Sequence, residues 1–135
     1  MKSVKVADYM ARNLVTFEPG TSVVEALSTL LDKRISGAPV IDRDGTLVGM
    51  LSEVDLIQVF IQDSYYDENA GIVGDYMHAP VETVTPDMDI YSLAEQFRKA
   101  RRRRYPVVKN GKLVGQISRR DVLRAARDLM SKRSG

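Results

Sequence analysis

Two stretches of this chain place a serine three residues ahead of an aspartate, behind a glycine-led apolar run. They are Gly49-Met50-Leu51-Ser52-Glu53-Val54-Asp55 and Gly115-Gln116-Ile117-Ser118-Arg119-Arg120-Asp121. A glycine near a strand end admits a close approach by ligand or backbone. A serine opening a helix stands among unpaired N–H groups at the positive dipole end, which attracts anions. An aspartate in the same first turn can accept two hydroxyl donors. Phosphate beside a vicinal diol describes a ribonucleotide. The same spacing is close to that of a capping box, which ties off a helix without any ligand. Capping does not prevent the serine from meeting a phosphate, so both readings stand.

The two stretches differ between serine and aspartate. Arg119-Arg120 offers guanidinium forks that suit phosphate oxygens, whereas Glu53 would repel them. The Asp121 stretch is therefore the better candidate for a charged nucleotide. The Asp55 stretch is the poorer one for a phosphate. Arg101-Arg102-Arg103-Arg104, with Arg98 and Lys99, is the sharpest charge run. It reads as a solvated helix end favoured by the dipole, as a donor of one or two arginines to phosphates, or, last, as a nucleic-acid surface. No zinc-finger, RNP or helix-turn-helix pattern accompanies it. His78, the single histidine, reads as a surface or packing residue rather than an acid–base catalyst. Asp42-Arg43-Asp44 reads as turn chemistry, not as a metal site. No H-E-x-x-H, G-x-S-x-G or Walker pattern occurs. No nucleophile–base pair or metal set can be assembled, so the expectation is a protein without catalysis, cofactor or metal.

The elements that must hold these residues occur twice. Asp8-Tyr9-Met10 returns as Asp75-Tyr76-Met77, Thr16 as Thr83 and Pro39 as Pro106, all at an offset of 67. Gly49, Ser52 and Asp55 return as Gly115, Ser118 and Asp121 at an offset of 66. In each copy, short extended pieces (Val15-Thr16-Phe17 and Thr83-Val84) precede a helix. Ser22 with Glu25 forms a capping box, followed by an apolar stripe of Val23, Ala26, Leu27, Leu30 and Leu31. Asp89 opens the equivalent helix, with Ile90, Leu93, Ala94 and Phe97. Hairpins follow, closed by Asp44-Gly45 and Asn110-Gly111, dipeptides that supply positive φ. A second helix begins at Ser52 or Ser118. The order per copy is strand, helix, strand, strand, helix. The expected boundaries are 1–62 for the first copy, 63–72 for a polar linker containing Tyr65-Tyr66, and 73–135 for the second. Two such copies usually pack about a local two-fold, with two equivalent clefts.

The 135 residues suit one core shared by both copies, since about 60 residues alone would be marginal. There is no cysteine, which excludes disulfides and thiolate chemistry and suits a reducing compartment. No stretch has the length of a signal-peptide core or a membrane span, so a cytoplasmic protein without membrane contact is expected. The formal charge of +2 hides an asymmetry: residues 1–70 carry −5 and residues 71–135 carry +7.

The G-h-h-S-x-x-D element, the preceding P-V hairpin with its G-x-L-V-G return, and the D-Y-M opening resemble CBS domains. Two tandem copies are similar to a CBS pair, or Bateman module, over about Val4 to Arg127. The resemblance implies an α/β (α+β) fold of two β-α-β-β-α repeats, frequent homodimerisation, and adenosine ligands: AMP, ADP, ATP or S-adenosylmethionine. It assigns Asp55 and Asp121 to ribose hydroxyls, and Ser52 and Ser118 to the phosphate or ribose edge. Thr16, Thr83 and neighbours such as Val84 would line the adenine pocket. The backbone at Gly37-Ala38 and Arg104-Tyr105 would hydrogen-bond the base. The function so implied is a stand-alone regulatory sensor acting in trans on a partner; a dimerisation adaptor with vestigial pockets is the alternative.

Overall fold

Each copy opens with a one-turn helix that the apolar pattern does not announce, and these two turns reorganise the molecule. The protein is described by a computed structural model covering residues 3–63 and 71–134. Tyr65-Tyr66 and most of the expected linker lie outside the described residues. In chain order the elements are α1 (Val6–Tyr9), α2 (Val23–Lys33), β1 (Gly37–Ile41), β2 (Leu47–Ser52), α3 (Glu53–Asp63), α4 (Val73–Tyr76), α5 (Ile90–Lys99), β3 (Arg104–Lys109), β4 (Lys112–Ser118) and α6 (Arg119–Ser134).

The chain folds as two compact units, Met1–Leu14 with Glu82–Gly135, and Val15–Val81. The opening segment of each copy thus packs on the body of the other copy. In the first unit, Val6 and Ala7 donate their N–H groups to Met88 and Pro86, and Ala11 exchanges two backbone bonds with Gln116 of β4. In the second unit, Val73 and Gly74 donate to Thr21 and Pro19, and His78 exchanges two bonds with Met50 of β2. The repeated D-Y-M triplet lies between these anchors. Asp8 accepts the Lys5 N–H at 2.9 Å, closing the turn of α1. Met10 reaches the core of the first unit, and Met77 packs against that of the second.

The glycines facing those methionines make the approach possible. A Cβ at Gly115 would stand 2.6 Å from Met10 Sδ and 2.8 Å from the Ala11 carbonyl oxygen. A Cβ at Gly49 would stand 2.7 Å from Met77 Sδ. The backbone contact makes Gly115 the stricter of the two, since at Gly49 the short contact is to a flexible side chain.

Both hairpins form where the turn dipeptides predict. Asn110 and Gly111 both take positive φ, 52° and 79°. Asp44-Gly45 works differently: only Gly45 is left-handed, at 84°, and the Asp42 carboxylate holds the N–H groups of Asp44 and Thr46 at 2.9 and 3.0 Å. The expected leading strands shrink to single parallel bridges, Phe17 to Val40 and Val84 to Val107. Pro19 and Pro86 follow within two residues, and a residue without an N–H cannot extend the ladder.

The helix stripes are buried in part. Ser22 caps α2 by accepting the N–H groups of Val24 and Glu25, and Val23, Ala26 and Leu30 face inward. Leu27 and Leu31, expected on the same buried stripe, are 43% and 68% exposed. On α3, Leu56 and Val59 turn inward while Ile57 and Phe60 stay open. Asp89 caps α5 through the Ser92 N–H, and Ile90, Leu93 and Phe97 are buried. Among the described residues, no helix is long and apolar enough to cross a membrane.

Tyr105 is fully buried with its ring 4.9 Å from that of Phe97. Its hydroxyl finds no hydrogen-bond partner among the described residues. A buried unsatisfied hydroxyl costs about 1–3 kcal/mol. Tyr105→Phe should therefore match or exceed the parent in urea stability, and a clear loss would contradict this packing. Gly115→Ala should destabilise by about 1–3 kcal/mol through overpacking against Met10 and Ala11. An unchanged urea midpoint would show that the opening segment does not pack there.

Candidate functional site

Ser118 ends β4 and Asp121 sits in the first turn of α6, so the strand-to-helix junction sets their geometry. The Ser118 N–H and hydroxyl both donate to Asp121 Oδ2, at 2.8 and 3.1 Å. The Asp121 N–H donates in return to Ser118 Oγ at 3.2 Å. The other copy repeats this: Ser52 donates from N–H and hydroxyl to Asp55 Oδ2 at 2.8 and 3.0 Å, and the Asp55 N–H returns to Ser52 Oγ at 3.4 Å. The capping reading is therefore correct for both. It does not exhaust the carboxylates, because each has a further partner from outside its own turn.

In the first unit, Arg124 donates to Asp121 Oδ1 at 2.9 Å and to the Tyr9 carbonyl at 3.1 Å. Its guanidinium lies 5.6 Å above the Tyr9 ring. In the second unit, His78 Nδ1 stands 3.0 Å from Asp55 Oδ2. The sequence reading of His78 as a plain surface or packing residue missed this contact. The available signal was register: the residue after D-Y-M is Ala11 in one copy and His78 in the other.

A cavity of about 550 Å³ opens beside Asp121, lined by Ala11, Arg103, Arg104, Gln116, Ser118, Arg119, Arg120 and Asp121. Five of the residues singled out for this copy thus converge: Ser118, Arg119, Arg120, Asp121 and Arg104. Thr83, Val84 and Tyr105 do not line the cavity; Val84 and Tyr105 point their side chains into the core, and Thr83 is exposed. In the second unit, Gly37 pairs with Ser52 across the hairpin, beside Asp55. Ala38 is buried, and Thr16 precedes Phe17 at its bridge with Val40.

The arginine run is divided by function. Arg98 pairs with Glu95 on the last turns of α5, as a solvated helix end would. Arg102 meets Glu82 at 2.9 Å, while Arg103 and Arg104 face the cavity. Segment exchange also sharpens the charge asymmetry. The unit holding Asp121 carries seventeen Lys/Arg against seven Asp/Glu, and the unit holding Asp55 carries three against eleven. Among the described residues, no three His, Asp or Glu side chains gather as a metal ion requires.

Such a duplicated hairpin-and-helix unit, with a capped Ser-x-x-Asp at each junction, defines a tandem-repeat protein. The CBS domain model matches residues 6–62 and 73–131, and the chain belongs to the CBS-domain family. CBSX2 from Arabidopsis thaliana, crystallised in complex with AMP, is 35% identical with a TM-score of 0.81; the match covers 93% of this chain and 98% of that one. CBSX1, a chloroplastic CBS domain-containing protein of the same plant, is 34% identical over 96% of this chain and 66% of its own length. The A-adding tRNA nucleotidyltransferase of Aquifex aeolicus is 32% identical over 96% of this chain but only 15% of its own length. The chain spans between 15% and 66% of these two curated relatives.

The clamp that holds α1 onto α6 joins two titratable side chains. The Tyr9 hydroxyl donates to Asp128 Oδ2 at 2.6 Å. That bond, first of all, holds the Asp128 carboxyl below its usual range; the same bond, then burial, raises the Tyr9 phenol. A lowered carboxyl stabilises the fold above its unfolded pKa and loses that contribution as pH falls through the folded value. A raised phenol contributes below its unfolded pKa and loses it as pH rises through the folded value. Tyr9→Phe should thus melt below the parent at neutral pH, and the gap should narrow towards about pH 3, where carboxylates protonate. A gap that stays constant across this range would contradict the assignment.

Proposed function

We propose that this chain is a regulatory module that binds an adenosine ligand bearing phosphate, in the cavity beside Asp121, and has no catalysis of its own. The cavity itself carries the reading. Its volume of about 550 Å³ falls within the usual range of small-molecule sites, roughly 300–1,000 Å³. Arg119, Arg120, Arg103 and Arg104 offer planar donors to phosphate oxygens, and Ser118 at the start of α6 adds a hydroxyl there. Asp121 supplies the acceptor for a ribose hydroxyl. The excess of positive charge on this unit favours an anionic ligand at longer range. CBSX2, at 35% identity, was crystallised with AMP, which makes AMP the first ligand to test, ahead of ADP, ATP and S-adenosylmethionine.

Ligand occupancy controls a partner only by binding two conformations with different affinity. Asp121 lies where that difference could arise: its carboxylate connects through Arg124 to Tyr9, and so to α1. A ribose hydroxyl arriving at Asp121 changes what Arg124 has to hold. The exposed apolar side chains of α2 and α3, among them Leu27, Leu31, Ile57 and Phe60 around a groove of about 600 Å³, favour assembly with a second copy. The regulated protein acts in trans in this reading. The lack of cysteine suits the cytoplasm.

Calorimetry with AMP on the full chain tests the proposal. Binding should be measurable for the parent and weaken by about tenfold or more, some 1.4 kcal/mol, in Asp121→Ala. Arg119→Ala combined with Arg120→Ala should weaken AMP much more than adenosine. Absence of any heat from AMP, with a flat thermal shift, would leave the adaptor reading in its place.

A further inference from the structure

The two carboxylates look equivalent until the residue opposite each is compared. Ala11 and His78 both follow D-Y-M, and both pair with the same hairpin position, Gln116 in one unit and Met50 in the other. The side chain at this position faces the Ser-x-x-Asp junction. In the first unit it is a methyl group, and it forms part of the wall of the cavity beside Asp121. In the second unit it is an imidazole, whose Nδ1 stands 3.0 Å from Asp55 Oδ2.

We infer that His78 is a built-in occupant of the Asp55 site, standing in for a ligand hydroxyl, so that one chain takes nucleotide at Asp121 only. This rests on the ligand reading proposed above. An imidazole N–H is the same kind of donor as a ribose hydroxyl, and it reaches the carboxylate that would receive one. Asp55 Oδ2 then has three close polar partners, the Ser52 N–H, the Ser52 hydroxyl and His78. The Asp55 side chain is 18% exposed, whereas the His78 side chain is 54% exposed. The ring is half exposed, and its polar contact is with Asp55.

Arg124 is not the counterpart of this plug. It reaches Asp121 from one turn further along α6, bonds the other carboxylate oxygen, and does not line the cavity. The surroundings also differ in what they offer an incoming anion. Glu53 and Val54 stand where the other copy has Arg119 and Arg120, and the Asp55 unit is strongly acidic.

The test isolates the Asp55 site by working in Asp121→Ala and uses adenosine, which carries no phosphate for Glu53 to repel. Calorimetry should detect no adenosine binding to Asp121→Ala. Adding His78→Ala should restore binding by at least about tenfold over the detection limit, and adding Asp55→Ala should abolish it again. The alanine merely copies the residue already present at Ala11, and melting curves confirm that each variant folds. Adenosine binding to Asp121→Ala with His78 intact, or none to the double variant, would overturn the inference. AMP titration of the parent is read separately. One molecule per chain supports both ideas, two overturn the plug while leaving the function, and none overturns the function even if His78→Ala opens the Asp55 site.

Discussion

The reciprocal bond between a strand-end serine and the aspartate three residues later sets the geometry of both halves. It satisfies N–H groups that a helix start would otherwise leave without partners. It also fixes where α3 and α6 leave their hairpins, because the serine belongs to the strand and the aspartate to the helix. A second tie reinforces the angle: the Arg119 N–H donates to the Arg103 carbonyl, and the Glu53 N–H to the Ser36 carbonyl. The carboxylate is thereby positioned by backbone chemistry before any ligand arrives. In the proposed function, capping and ligand recognition are successive uses of one group: Asp121 takes the cap on Oδ2 and Arg124 on Oδ1.

Exchange of the opening segments is the second constraint. Each segment contributes a buried valine, Val6 or Val73, and a methionine that needs a glycine opposite it. The same exchange decides what stands next to each aspartate, because the residue after the methionine lands beside the carboxylate of the other copy. It also separates charge, gathering basic residues around Asp121 and acidic ones around Asp55. Two halves with one ancestry of pattern can thus hold sites of different chemistry without altering the Ser-x-x-Asp core of either.

Local chemistry was legible in the residue order, and long-range partnership was not. Asn110-Gly111, Asp42 with its turn, Ser22 and Asp89 all act through neighbours within four residues, so their roles follow from spacing. The pairing of Tyr9 with Asp128 joins residues 119 positions apart, and no periodicity encodes it. Leu27 and Leu31 fell on the apolar stripe of α2 but stay exposed, because a stripe shows which face is apolar and not how much of it this chain covers. Val84 and Tyr105 sit in segments that the family resemblance assigned to the ligand, yet their side chains complete the core. His78 was read as a single residue; its meaning comes from comparison with Ala11 across the repeat.

The measurement that bears most directly on this picture is a titration of labelled protein with AMP, followed by amide chemical shifts. Binding at the basic junction predicts saturable shifts centred on Ser118, Arg119, Arg120 and Asp121, extending to Ala11 and Arg104. Shifts confined to the apolar faces of α2 and α3, or none at millimolar AMP, would contradict it.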